Sequence, residues 1–464
     1  VRTAARRGRP RALLGLLLLG AVAAGCSGSV EPSPSSADVD ALLAPLVTAN
    51  EFQGAVVLTR GSEVVYARGF GLANREAGLP FTPETPSDGG SLAKTFTAAG
   101  LQWLALEGRV DLDGPVTRYL PEFPHAETTL RHLLSHSNGL PPYYEFFDPF
   151  FAKDEVRTTE AMLRIVAREA PAPSFPPGSR FEYSNFGYDL AALVVERASG
   201  RSFEDFLRER FFSRLGMTSS FARPARFSEW RGTRTVGARW DEGAWRVVDV
   251  FDGEGFLGAS NLYFSAADLS RWARAHADRT ALPAEAFAAG ERRPPIDGRP
   301  SPINGLSWYC DEAGNRCYYT GSINAFHGFV FWDRERNETA VFVSSASLPA
   351  WKTITLERNL VDILTGRPAR TEETPVFGRF TRETRSSTSG TYTADGLGTV
   401  AWTSDADGSR LRVGTGLEFD AFQVAPEVFY VPGPDFWIAF GGGAHPSEIH
   451  VRSMFVDAVG RRAP

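Results

Sequence analysis

Two side chains in Ser91-Leu92-Ala93-Lys94 could do chemistry together. A serine hydroxyl and a lysine amine three residues apart lie about one helical turn from each other, on one face. Serine is a weak nucleophile until a neighbour takes its proton. A lysine can take it only where burial and neighbouring charges favour the neutral amine. The start of a helix adds a positive dipole end that favours a developing anion. Lysine usage points the same way. Among 49 basic residues only Lys94, Lys153 and Lys352 are lysine, so this chain otherwise places arginine where it needs positive charge. Arginine cannot be deprotonated in a protein, and a lysine beside the serine suggests a need for a titratable amine.

The surrounding residues must hold that pair in place. Leu92, Phe96, Leu101 and Leu104, with the alanines among them, leave almost no polar face before Glu107-Gly108-Arg109. The stretch predicts a buried helix stopped at Gly108. His132 and His136 are four apart, which is zinc-ligand spacing on a helix. No glutamate stands beside His132 and no third ligand is evident, so both read as structural, hydrogen-bonded histidines and no metal or other cofactor is expected. No G-x-S-x-G elbow occurs, which disfavours an α/β-hydrolase.

The N-terminus reads as a targeting segment over residues 1–25. Five arginines precede an apolar run over 13–24, which is too short to span a bilayer. Ala23-Ala24-Gly25-Cys26 resembles a bacterial lipoprotein box, with Cys26 as the lipidated residue, although alanine stands where leucine is usual. Removing that segment takes five arginines and no acids, so the rest is more acidic than the −6 of the whole chain. The expectation is an exported protein, held by its lipid on the periplasmic or extracellular face of a bacterial membrane. No basic stretch is long enough for a nucleic-acid footprint. Cys310 and Cys317 flank a polar hexapeptide between strand-like pieces, and in an exported protein they read as a disulfide across a hairpin.

At 464 residues, with 43% hydrophobic and 22% charged side chains, the chain has ample material for one or two cored domains. Residues 26–37 read as a Ser/Pro-rich tether. A helix is expected over 38–50, with Pro45 inside it, then strands over 54–60 and 63–69 joined at Gly61-Ser62. Helices follow over 158–168, 189–199 and 203–215, and another after the Ser265 cap. Strands return over 317–322, 325–332 and 340–344, and an amphipathic helix over 351–365 closes the domain, which covers 38–366. Residues 367–389 read as a polar linker. Short strands and glycine turns from 390 to 464 predict a small all-β domain.

Ser91-Leu92-Ala93-Lys94, Tyr183-Ser184-Asn185 and Tyr319-Thr320-Gly321 follow one another along the chain. They fall in the order of the active-site motifs of the serine β-lactamase and penicillin-binding protein superfamily, and the chain resembles its class C-type branch. Segments 109–119, 130–141, 177–189 and 262–272 are similar to the same branch. The resemblance implies a mixed α/β (α+β) fold: an antiparallel sheet flanked by helices, with an inserted helical region. It implies Ser91 as the acylated nucleophile and Lys94 with Tyr183 as the proton-transfer pair, without deciding which is the base. It implies Asn185 as the amide that orients substrate and lysine, with the N–H groups of Ser91 and Ser322 as the oxyanion hole. Tyr319 departs from the lysine, histidine or tryptophan common there, and a neutral phenol cannot receive a substrate carboxylate as a cation does. Arg131, Arg180 and Arg316 are the candidates to supply that charge instead. The function so implied is a serine hydrolase forming an acyl-enzyme on a peptide, amide, β-lactam or ester. The alternative is a binding or sensing protein that keeps the fold without turnover.

Overall fold

The computed structural model describes residues 36–369 and 385–463, except 142, 349, 406–407, 415–417, 426–427, 432–435 and 442–445. The expected targeting segment, the lipid-box Cys26 and most of the expected linker lie outside the described residues.

Helix α1 (Ser36–Thr48) runs through Pro45 and buries Val39 and Leu43. It leads into strands β1 (Gly54–Arg60) and β2 (Glu63–Phe70), joined at Gly61, whose φ of 57° suits a tight hairpin turn. The serine motif begins on a short 3-10 turn, Gly90–Leu92, and continues as α2 (Ala93–Leu106). Every residue from Leu92 to Leu104 is buried. Phe96 is stacked between Trp272 and Phe264, at ring-centroid distances of 4.0 and 4.8 Å. Such a helix gains its stability from packing rather than from intrinsic propensity.

Against α2 lies α3 (Asn185–Ser199), which begins four residues before the expected start. The reason is local: the Ser184 hydroxyl accepts the Gly187 N–H at 3.2 Å and caps the helix. The expected helix over 203–215 is broken into α-helical ends around a π-wound stretch, Arg208–Phe212. Helix α4 (Ala266–Ala277) is capped by Ser265, whose hydroxyl accepts the Asp268 N–H.

Four strands then complete the sheet: β3 (Tyr309–Cys310), β4 (Arg316–Ile323), β5 (Phe326–Asp333) and β6 (Glu338–Ser344). The order is β3-β4-β5-β6-β1-β2, antiparallel throughout. Helix α4 lies against β1, β5 and β6, while α5 (Ala350–Leu364) packs with α1 and over β6. All residues of β5 and β6 are buried, as expected for strands covered on both faces. A disulfide joins Cys310 to Cys317, which are register partners across β3 and β4.

The C-terminal strands form a closed eight-stranded barrel in sequence order: β7 (Gly390–Ala394), β8 (Gly398–Ser404), β9 (Ser409–Val413), β10 (Glu418–Ala425), β11 (Val428–Val431), β12 (Phe436–Gly441), β13 (Glu448–Arg452) and β14 (Asp457–Arg462). Strand β14 pairs back onto β7, so no edge is left open. Tyr392, Trp402, Phe429 and Phe440 fill its interior. Its β13–β14 turn sends Met454 into the core of the first domain.

Candidate active site

The serine turn is held against the sheet by glycines. A Cβ on Gly321 would stand 2.0 Å from Gly89 O, 2.8 Å from Ser91 N and 2.9 Å from Leu92 N. A Cβ on Gly90, where φ is 51°, would stand 2.8 Å from Ser322 N. The obstructing atoms are all backbone, so no side chain can yield. Two glycines therefore bring the Ser91 and Ser322 segments into contact, where the resemblance implied an oxyanion hole. Asp88 fixes the same turn, its Oδ1 accepting the Gly90 N–H at 2.8 Å. Burial pushes the Asp88 carboxyl up to about 7, although that hydrogen bond and Arg223 act against the shift.

Ser91 Oγ sits between two proton-bearing groups. Lys94 Nζ lies 3.1 Å from it, and the Tyr183 hydroxyl donates to it at 2.8 Å. Lys94 is fully buried and gives its other hydrogen bonds to Asn185 Oδ1 at 2.8 Å and Ala259 O at 3.0 Å. Because Ser184 caps α3, Asn185 is left to hold the lysine. The ammonium nitrogen also lies 4.9 Å from the Tyr183 ring centroid and 5.6 Å from that of Tyr188.

Further residues position this group. Asp189, one turn into α3, accepts the Ala259 N–H at 3.0 Å on one oxygen and the Tyr143 hydroxyl at 2.8 Å on the other. It thereby fixes the peptide whose carbonyl binds Lys94. Burial raises the Asp189 carboxyl to about 7, with the two hydrogen bonds and Lys94 acting the other way. His136 stacks on Tyr183 with ring centroids 4.4 Å apart, and its Nδ1 accepts the Ser184 N–H at 3.0 Å. Burial, then the charge of Lys94, drives the His136 imidazole well below its ordinary pKa, so it stands as a neutral platform. His132 serves elsewhere: its Nδ1 accepts the Thr129 N–H in a capping box. Sequence reasoning treated these histidines as a structural pair. It missed the role of His136, placed Asp189 only as the start of a helix, and did not single out Ala259.

A cavity of about 440 Å³ opens onto Ser91, Tyr183 and Asn185. Thr320 and Ser322 line it, whereas Tyr319 and Gly321 do not, because side chains alternate along β4. Tyr319 is buried, with its ring 5.5 Å from that of Tyr309, and its hydroxyl has no hydrogen-bond partner among the described residues. Burial and the neighbouring Tyr183 phenol push its pKa well above the tyrosine range, so it stays neutral. None of the three candidate arginines lines this cavity. Arg131 pairs with Asp113 at 2.5 Å, Arg180 with Glu182 at 3.9 Å, and Arg316 with Asp311 at 2.9 Å. A larger cavity of about 680 Å³, walled by Tyr309, Cys310, Tyr318 and barrel residues, contains none of the reactive groups.

Residues 39–364 match the family described as Beta-lactamase. The chain belongs to that family. A penicillin-binding protein of Bacillus subtilis (strain 168) is 32% identical over 171 residues, covering 37% of this chain and 38% of the relative. Esterase EstB of Burkholderia gladioli is 32% identical over 218 residues, covering 43% of this chain and 55% of the relative. The chain thus spans about two fifths to just over half the length of these curated relatives. Among solved structures, the octameric penicillin-binding protein homologue from Pyrococcus abyssi superposes with a TM-score of 0.61, covering 92% of this chain and 99% of that one. At 22% identity that likeness speaks to the fold, barrel included.

Proposed function

We propose that this Beta-lactamase family member is a serine hydrolase working through an acyl-enzyme on Ser91. The observation that carries the reading is Ser91 Oγ within hydrogen-bond reach of both Lys94 Nζ and the Tyr183 hydroxyl, at the floor of an open cavity. Ser91 Oγ attacks the carbonyl carbon of an ester or amide, and its proton passes to the Lys94–Tyr183 pair. The carbonyl oxygen becomes an oxyanion facing the Ser91 and Ser322 N–H groups, the term that in such chemistry is usually the largest. The leaving group takes the proton back as the tetrahedral adduct collapses. Water then repeats the sequence on the acyl-enzyme. Relatives named as an esterase and a penicillin-binding protein support hydrolysis of esters or peptides, and a cavity lining without arginine or lysine among the described residues supports substrates without a carboxylate there.

Intact-mass spectrometry after treatment with a fluorophosphonate and a panel of p-nitrophenyl esters tests this. The expected result is a single adduct on Ser91 and turnover that falls by at least about a thousandfold in Ser91→Ala. Undiminished turnover in that variant would remove the serine mechanism.

A further inference from the structure

We infer that Tyr430 and Trp437 of the barrel form a substrate subsite in the Ser91 cleft, selecting an uncharged substrate with an aromatic or apolar group. The inference deepens the hydrolase reading by naming a substrate class, and it rests on separate observations. The two residues are register partners on β11 and β12, their ring centroids are 5.0 Å apart, and both line the cavity that opens onto Ser91. A distant part of the chain thus supplies aromatic wall to a site whose reactive groups all come from the first domain. A tilted aromatic pair on a cavity wall is a surface for another ring or an alkyl chain.

Ala325, Phe326 and Leu348 add to the apolar lining of the same cavity.

Charge points the same way. Among the described residues that line the cavity there is no arginine, lysine, aspartate or glutamate. The one imidazole, His327, is bound through Nε2 to the buried Glu357 carboxylate at 2.9 Å. With the imidazole protonated that pair is neutral, and with it unprotonated the pair is negative. Neither state offers a net positive charge to a substrate carboxylate. Desolvating an unpaired carboxylate in such a cleft is costly.

The test is binding to the Ser91→Ala protein, so that it does not depend on turnover. Calorimetry or ligand-observed NMR would compare methyl phenylacetate with phenylacetate ion. The same measurements would be made after adding Tyr430→Ala with Trp437→Ala, or Trp437→Phe alone, to the Ser91→Ala protein. The ester should bind at least tenfold more tightly than the acid. It should lose about tenfold in the double aromatic variant and a smaller factor in Trp437→Phe, which keeps an aromatic ring of smaller area. Circular dichroism checks that the barrel persists, and Trp437→Phe carries the test if the double variant does not fold. Equal binding with and without the aromatic side chains, or an acid bound as tightly as its ester, would overturn the proposal. Failure of Ser91 to form an adduct would instead count against the hydrolase reading and leave this binding comparison intact.

Discussion

Lys94 is fully buried and gives hydrogen bonds to a hydroxyl, an amide oxygen and a peptide carbonyl, with no carboxylate among them. Arginine in its place keeps a positive charge but cannot shuttle a proton, and its planar fork does not fit three acceptors arranged for an ammonium. Lys94→Arg should therefore lose activity nearly as fully as Lys94→Ala, by at least about a hundredfold in kcat, while remaining folded by circular dichroism. An arginine variant that keeps most of its activity would make the lysine a fixed charge and leave Tyr183 as the base. Asp189 gives a second residue-scale outcome. Its folded-state pKa, about 7, lies above its unfolded value of 3.8, so the stability tied to its protonated form is complete below pH ~4 and is lost as pH rises through ~7. An asparagine at this position has no such titration and can still accept the Ala259 N–H. Asp189→Asn should thus gain stability relative to the native chain by roughly 2–4 kcal/mol between pH 4 and pH 8, as read from urea midpoints. A difference that stays flat with pH would mean Asp189 is ionised throughout. These residues differ in how legible they were. Ser91 and Lys94 are three apart and announced themselves by spacing alone. Asp189 meets Ala259 across 70 positions, and nothing in local pattern reports a contact made only by tertiary packing.

At the scale of elements, the site depends on how closely strand β4 approaches the turn that carries Ser91. The seam is backbone against backbone at Gly321, so a single methyl there must push strand and turn apart. Overpacking of this kind costs about 1–3 kcal/mol where a core cannot relax. Gly321→Ala should still fold. It should lose at least about a hundredfold in the rate of fluorophosphonate labelling, because the oxyanion hole proposed at the Ser91 and Ser322 N–H groups would be pulled apart. Labelling at the native rate would show that the seam does not set the geometry. Much of this level was readable beforehand. The two hairpin strands, the buried helix after Ser91, the late strands and the closing helix all have strong periodicity or turn signals. The readings slipped where a local hydrogen bond decided a boundary, as Ser184 does at the start of α3, and where a π-wound stretch interrupted the 3.6-residue period.

At the scale of the molecule, sequence predicted a small β-rich domain but neither its closure into a barrel nor its place over the cleft, since both depend on pairings far apart in the chain. The barrel is seated by specific contacts. Met454 is buried in the core of the first domain, and Phe455 stands edge-on to Tyr318 at 5.3 Å with Arg316 over its ring at 5.4 Å. Phe419 meets Phe181, two residues before Tyr183, at 5.7 Å, and Arg452 donates to the Thr355 hydroxyl at 3.1 Å. Each domain has its own core, and among the described residues this interface couples their unfolding. Met454→Asp replaces an apolar side chain in that interface with a carboxylate, a change that costs several kcal/mol when the group stays buried. The docked arrangement should give way instead. Calorimetry should show the single transition of the native protein resolving into two, with the barrel's own transition little changed. The Ser91 pocket, whose reactive groups all come from the first domain, should still react with a small fluorophosphonate. Preference for aryl esters over acetate esters should fall toward that of Tyr430→Ala with Trp437→Ala, because undocking removes the same wall. If Met454→Asp keeps one transition and the native ester preference, the barrel is held by something other than the Met454 turn.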